Sequence, residues 1–197
     1  MTWGSANEGG DSSSVQAELK DQVVRHIYST YGAFAAVLAS GRVVTWGHPD
    51  YGGYSSSVQA ELKDQVVQHI YSTYRAFAAL LANGRVVTWG YPDYGGDSSS
   101  VQAELKDQVV QNIYSNEAAF AAVLTNDRVV TWGAPSYGGD SSSVEAELKD
   151  QVVRHIYSTD DAFAAVLVSG RVVTWGDALY GGDSRSVIDK DGYFNSI

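Results

Sequence analysis

Tryptophan recurs in this chain at a fixed step. Trp3, Trp46, Trp89, Trp132 and Trp175 each stand inside Thr-Trp-Gly, 43 residues apart, with no insertion to break the register. Phe34, Phe77, Phe120 and Phe163 keep the same step, and so do Ile27, Ile70, Ile113 and Ile156, and Leu19, Leu62, Leu105 and Leu148. Such a chain folds as an array of like units that bury their apolar faces on one another, and a period of this length fits propeller blades or helical solenoid units. The expected layout is one repeat domain over residues 1–197, with units at 4–46, 47–89, 90–132 and 133–175 and a C-terminal cap at 176–197.

Local periodicity chooses between the two architectures. Residues 66–72 (Val-Val-Gln-His-Ile-Tyr-Ser) form a β-branched and aromatic run, followed by Ala-Phe-Ala-Ala-Leu-Leu at 76–81 and Arg-Val-Val-Thr-Trp at 85–89. These read as three consecutive strands. Asn83-Gly84 separates the second from the third, and Ser40-Gly41, Asn126-Asp127 and Ser169-Gly170 recur there, all with a residue that tolerates positive φ. The alanine-rich strand is apolar on both faces, as a strand is when its sheet lies between two others. After Thr-Trp-Gly comes a turn-rich stretch such as Tyr91-Pro92-Asp93-Tyr94-Gly95-Gly96, where proline and paired glycine forbid regular structure. Ser13/Gln16, Ser56/Gln59, Ser99/Gln102 and Ser142/Glu145 have capping-box spacing, so one or two helical turns are expected next, ending near Lys106-Asp107 in the third instance. The fold class is all-β: a β-propeller-like tandem array of about four three- or four-stranded blades, in a partial or irregular ring, each with a short helical turn.

The unit Gly84-Arg85-Val86-Val87-Thr88-Trp89-Gly90, with Ala76-Phe77-Ala78-Ala79 before it and Tyr94-Gly95-Gly96 after it, resembles the repeat of the regulator-of-chromosome-condensation family. That resemblance covers nearly the whole chain and implies one propeller blade per unit. The family's Gly-Gln-Leu-Gly loop is here Tyr-Gly-Gly-Asp, and the unit is shorter than the family's. Nucleotide exchange on a small GTPase, known for the founding member, is therefore carried only as an analogy. The resemblance also implies a seven-bladed ring, which at this period would need about 300 residues. An arc of four blades exposes an apolar face at each end, and the expectation is that a cap or a protein partner covers such an edge. Residues 186–197 leave the repeat pattern yet stay apolar and are the candidate cap. Near-identical units would also suit a consensus design, but Tyr54, Asn112 and Asp127 read as drift after duplication.

Charge and composition exclude several roles. Thirteen Lys and Arg against 23 Asp and Glu give a formal charge of −10, the wrong sign for a nucleic-acid footprint. There is no Cys for a disulfide, thiolate metal site or nucleophile. No apolar run approaches the roughly 18 residues of a membrane span, and the start lacks the regions of a signal peptide, so a soluble chain without a visible address is expected, in a compartment left open. The histidine column His26, His69 and His155 has Asn112 in the third unit, which argues against a metal ring. Asp11, Asp97, Asp140 and Asp183, with Tyr54 in the second place, precede serine runs and suit turns and helix starts better than calcium. No nucleophile, base and acid converge by spacing, and the sequence implies no catalytic residue, cofactor or metal ligand.

Structural residues are then the Trp column and the Phe column, with each Trp filling a blade core. Binding candidates are the residues that vary. Divergence is concentrated in two loops of each unit, one carrying Tyr31, Tyr74, Arg75, Glu117, Asp160 and Asp161. The other carries His48, Tyr51, Tyr54, Tyr91, Tyr94, Tyr137 and Tyr180. Tyrosine and acid on exposed loops make recognition surfaces, so the expected role is a non-catalytic protein-interaction or scaffold module. It would serve as a peripheral subunit of a larger assembly, membrane-associated complexes included. A glycan-binding module with one Tyr/Trp/Asp site per unit is the alternative.

Overall fold

Among the described residues twelve strands form in four groups of three at the step of the repeat. In the computed structural model, which describes residues 2–187, the first sheet holds β1 (Val24–Ser29), β2 (Ala33–Leu38) and β3 (Val43–Gly47). The second holds β4 (Val67–Ser72), β5 (Ala76–Leu81) and β6 (Val86–Gly90), the third β7 (Val110–Ser115), β8 (Ala119–Leu124) and β9 (Val129–Gly133). The fourth holds β10 (Val153–Ser158), β11 (Ala162–Leu167) and β12 (Val172–Gly176). Every sheet is an antiparallel meander with its alanine-rich strand in the middle, and no sheet closes on itself. The chain divides into two compact units, Met1–Ser98 with the first two sheets and Ser99–Ile197 with the last two.

The hairpins follow the turn chemistry. The Gly41 N–H donates to the Leu38 carbonyl and the Leu38 N–H to the Arg42 carbonyl, a tight turn closed by a left-handed residue at Gly41 (φ 86°). Asp127 holds the same place at φ 66°, a conformation that Asp tolerates.

Small residues let sheets stack. In the first unit Ala33, Ala35, Val37 and Val43 on the back of the first sheet share a buried cluster with Ile70, Phe77, Ala79, Leu81, Val87 and Trp89 on the front of the second. In the second unit Ala119, Ala121 and Val123 meet Ile156, Phe163, Ala165, Leu167, Val173 and Trp175 in the same way. Alanine on one side and Phe, Leu and Trp on the other make a large-into-small contact, which is how two sheets reach close packing.

One helical turn per repeat docks on this core: α1 (Gln16–Leu19), α2 (Gln59–Leu62), α3 (Gln102–Leu105) and α4 (Glu145–Leu148). The capping-box expectation is corrected. A 3₁₀ turn, Ser13–Val15 in the first repeat, precedes each helix, so valine stands at the N-cap with no side-chain bond. The aspartate before the serines does the work instead, since Asp11 and Asp140 accept the N–H of Ser13 and Ser142 at 2.8 and 2.9 Å. Those backbone donors hold both carboxyls below the usual aspartate range. The helices end as expected, with Asp107 at φ 59° following Lys106. Each helix also carries a glutamate to an arginine of the following hairpin, Glu18 to Arg42 and Glu104 to Arg128 at 2.8 and 2.6 Å, exposed pairs worth up to about 1 kcal/mol each.

Candidate functional site

Both variable loops lie at one end of each sheet. The β1–β2 connection begins at Thr30, and β3 ends at Gly47, which pairs with Ala33; the His48 N–H then donates to the Gly32 carbonyl at 2.8 Å. Across the loops, Thr30 Oγ1 donates to the Tyr51 carbonyl at 2.8 Å and Thr73 Oγ1 to the Tyr94 carbonyl at 2.9 Å. Asn116 replaces the threonine in the third sheet and still donates to the Tyr137 carbonyl at 2.7 Å, and Thr159 does so to Tyr180 at 2.9 Å. These bonds fix the backbone at each tyrosine, and the Tyr51 and Tyr137 rings pack against the buried clusters.

The loops continue into the next sheet. Gly52 packs on the second sheet with no room for a Cβ, which would lie 2.6 Å from Phe77 Cδ2, and its φ of 87° favours glycine as well. The Trp89 indole N–H donates to the Gly52 carbonyl at 3.0 Å, as Trp46 does to Gly9 and Trp175 to Gly138. Each of these indoles stacks on the phenylalanine paired with it, Phe34, Phe77 and Phe163, and Trp132 stacks on Phe120. Trp46, Trp89, Trp132 and Trp175 are buried. Trp3 departs from the structural role expected of its column and is 86% exposed.

In the first unit the loop side chains converge. Tyr31 lies 4.6 Å from Tyr74 and 5.7 Å from Tyr51, ring centre to ring centre, and Tyr74 lies 5.8 Å from Tyr51 and 6.4 Å from Tyr94. The Arg75 guanidinium sits over Tyr51, Tyr91 and Tyr94 at 4.8, 5.3 and 5.3 Å, and donates to the Tyr51 hydroxyl at 3.2 Å. Its Nε is buried without a hydrogen-bond partner. Phenol faces, not a carboxylate, therefore hold this cation, each worth about 0.5–1 kcal/mol at a surface. Tyr31 is exposed, and Tyr51, Tyr74, Arg75, Tyr91 and Tyr94 are half-buried. Burial, with Tyr31 and Tyr51 next to it, pushes the Tyr74 phenol up.

The other candidates stand apart or serve the loop itself. His48 Nδ1 accepts the Asp50 N–H at 3.2 Å and its ring packs edge-on to Tyr51. Tyr54 is exposed. In the second unit Glu117 and Ala118 occupy the places of Tyr74 and Arg75, and Asp160 and Asp161 follow one repeat later. There the Glu117 N–H donates to the Asp160 carbonyl and the Asp177 N–H to the Asp161 carbonyl, while Tyr180 is exposed and Tyr137 half-buried. Outside the loops, polar pairs not among the expected site residues join the sheets, Tyr28 to His69 Nδ1 at 3.2 Å and Tyr114 to His155 Nδ1 at 3.4 Å. A Tyr-to-His spacing of 41 residues, two short of the period, is the signal that carries them. Among the described residues no group of three or more His, Asp or Glu converges as metal ligands would, and no helix is long and apolar enough to cross a membrane. The cap expected at 176–197 lies outside the described residues from 188 on.

No family model matches the sequence, and no curated protein sequence matches it significantly. Solved structures similar to the chain include the ectodomain of the Physcomitrella patens receptor kinase CR4, with TM-score 0.55 and 17% identity over 81% of this chain and 42% of that one. Human WBSCR16 has TM-score 0.51 and 17% identity over 84% of this chain and 51% of its own. Prp20p from Saccharomyces cerevisiae has TM-score 0.50 and 18% identity over 73% and 42%. The chain thus spans about half the length of the structures it resembles or less, and the likeness shows the fold, an all-β array of propeller type.

Proposed function

We propose that this chain is a non-catalytic protein-interaction module that binds its partner through the tyrosines gathered around Arg75. The observation that carries the reading is the convergence of Tyr51, Tyr91 and Tyr94 on one arginine, with Tyr31 and Tyr74 packed on the rings of that cluster. Tyr and Arg are the residues most enriched where binding energy concentrates, because they present large contact area with few rotors and a directional donor. The identity of Arg75 supports recognition over packing, since Gly32, Ala118 and Asp161 fill its place in the other repeats without altering the sheets. The repeat itself is a short variant of the regulator-of-chromosome-condensation unit, a reading supported by the Val-Val-Thr-Trp-Gly strand and by the likeness to Prp20p. Prp20p was described with its binding to Gsp1p and histones, an instance of this fold presenting a protein-binding surface. A peripheral place in a larger assembly suits a module of this kind. The glycan reading keeps its tyrosines and aspartates but loses the tryptophans that would serve as its platforms, which are buried apart from Trp3.

The test is affinity purification from the native source with wild type, Arg75→Ala and Tyr74→Ala, and Tyr180→Ala as the control, followed by quantitative mass spectrometry. Proteins captured by wild type and Tyr180→Ala are expected to fall by about tenfold or more with the other two, the loss of one interface anchor. Unchanged capture by both, with unchanged thermal melts, overturns the proposal. A glycan array that lights up and fades with Tyr74→Ala would move the reading to carbohydrate.

A further inference from the structure

Each unit contains one complete contact between sheets, the back of one against the front of the next, and both contacts carry the same Tyr–His pair. Two further surfaces are halves of that contact. On the front of the first sheet Ile27 is 57% exposed, whereas Ile70 and Ile156 in its column are 1% exposed. Phe34 there is half-buried, and Phe77 and Phe163 are fully buried. On the back of the fourth sheet Tyr157 is 60% exposed, and Ala164 and Val166 are half-buried where Ala35, Ala121, Val37 and Val123 are buried. The edge strand β1 of the first sheet also offers His26, in the column of His69 and His155, and the edge strand β10 of the fourth offers Tyr157, in the column of Tyr28 and Tyr114.

The geometry points to head-to-tail association of two copies of this chain, the back of the fourth sheet of one seated on the front of the first sheet of the other. Tyr157 of one copy then pairs with His26 of the next, as Tyr28 does with His69. Continuity selects a second copy over other occupants: both halves have the side chains, the register and the polar pair of a contact the chain already makes within each unit. Bare alanine on one side and Ile and Phe on the other reproduce its large-into-small packing. The interface joins two different surfaces, so two copies close a ring or more copies extend a row, according to the rotation per copy.

Sedimentation velocity on the full chain over a wide concentration range tests this. Wild type is expected to associate, and Ile27→Arg and Tyr157→Arg, both at exposed positions, to weaken association by about a hundredfold, as an unpaired charge in an apolar contact does. Each variant keeps one intact half. An equimolar mixture of the two is therefore expected to form a dimer and nothing larger, with both melting as wild type does. A wild type that is monomeric throughout overturns the proposal, and so do variants that associate undiminished or a mixture that forms no dimer. A chain ending at Val187 that associates while the full chain does not would assign the surface to residues 188–197 and likewise overturn it.

Discussion

The Trp89 indole holds two things at once, the ring of Phe77 by stacking and the carbonyl of Gly52 by its N–H. Trp89→Phe removes the donor and leaves a buried carbonyl unpaired beside a smaller ring, so unfolding in urea should show a loss of at least about 2 kcal/mol. Histidine gives a pH signal. Burial first, and then the charge of His26, lower the pKa of His69 in the fold. The neutral ring is thus the one the fold favours: its contribution is present above the unfolded value of about 6.5 and is lost as pH falls through the lower folded one. Tyr28 and Tyr71 pack on the same ring. His69→Asn, the residue that the third repeat carries as Asn112, should flatten the fall in melting temperature below about pH 6.5, and an unchanged acid slope would assign that fall to other groups.

At the scale of the element, the repeats supply their own controls. Thr73 Oγ1 accepts the Ala76 N–H at 3.0 Å and donates to the Tyr94 carbonyl, and Asn116 makes both connections with its amide in the third sheet. Thr73→Val keeps the shape and loses both bonds in a buried place, with an expected cost of about 2–3 kcal/mol, while Thr73→Asn should stay within about 1 kcal/mol of wild type. Denaturant midpoints of the two variants separate hydrogen bonding from packing. Tyr54 stands where Asp11 and Asp140 close their turns, so Tyr54→Asp should stabilise the chain by about 0.5–1 kcal/mol. The strands and hairpins were legible in the sequence because β-branched runs and Gly41-type turns are local signals. The helix start was not, since serine at capping-box spacing competes with an aspartate two residues earlier, and only the 3₁₀ turn shows which one bonds the backbone.

On the whole molecule, the variable loops were legible as a set, but not the convergence of some of them. Tyr31 and Tyr74 are one period apart in sequence, and only stacked sheets bring consecutive periods within ring contact. Nor does the sequence separate Tyr74-Arg75, which gather rings, from Glu117-Ala118, which do not occupy a tyrosine cluster. Net charge then sets the last expectation. Every copy carries −10, so copies approaching head to tail repel one another, while the surfaces that meet are Ile27 and Phe34 against Tyr157, Ala164 and Val166. Screening shortens the reach of that repulsion from about 10 Å at 0.1 M salt to about 3 Å at 1 M and leaves apolar burial intact. Association measured by sedimentation should therefore tighten several-fold across that range. A contact carried by ion pairs would weaken over the same interval, so the sign of the salt dependence tells which force joins the copies.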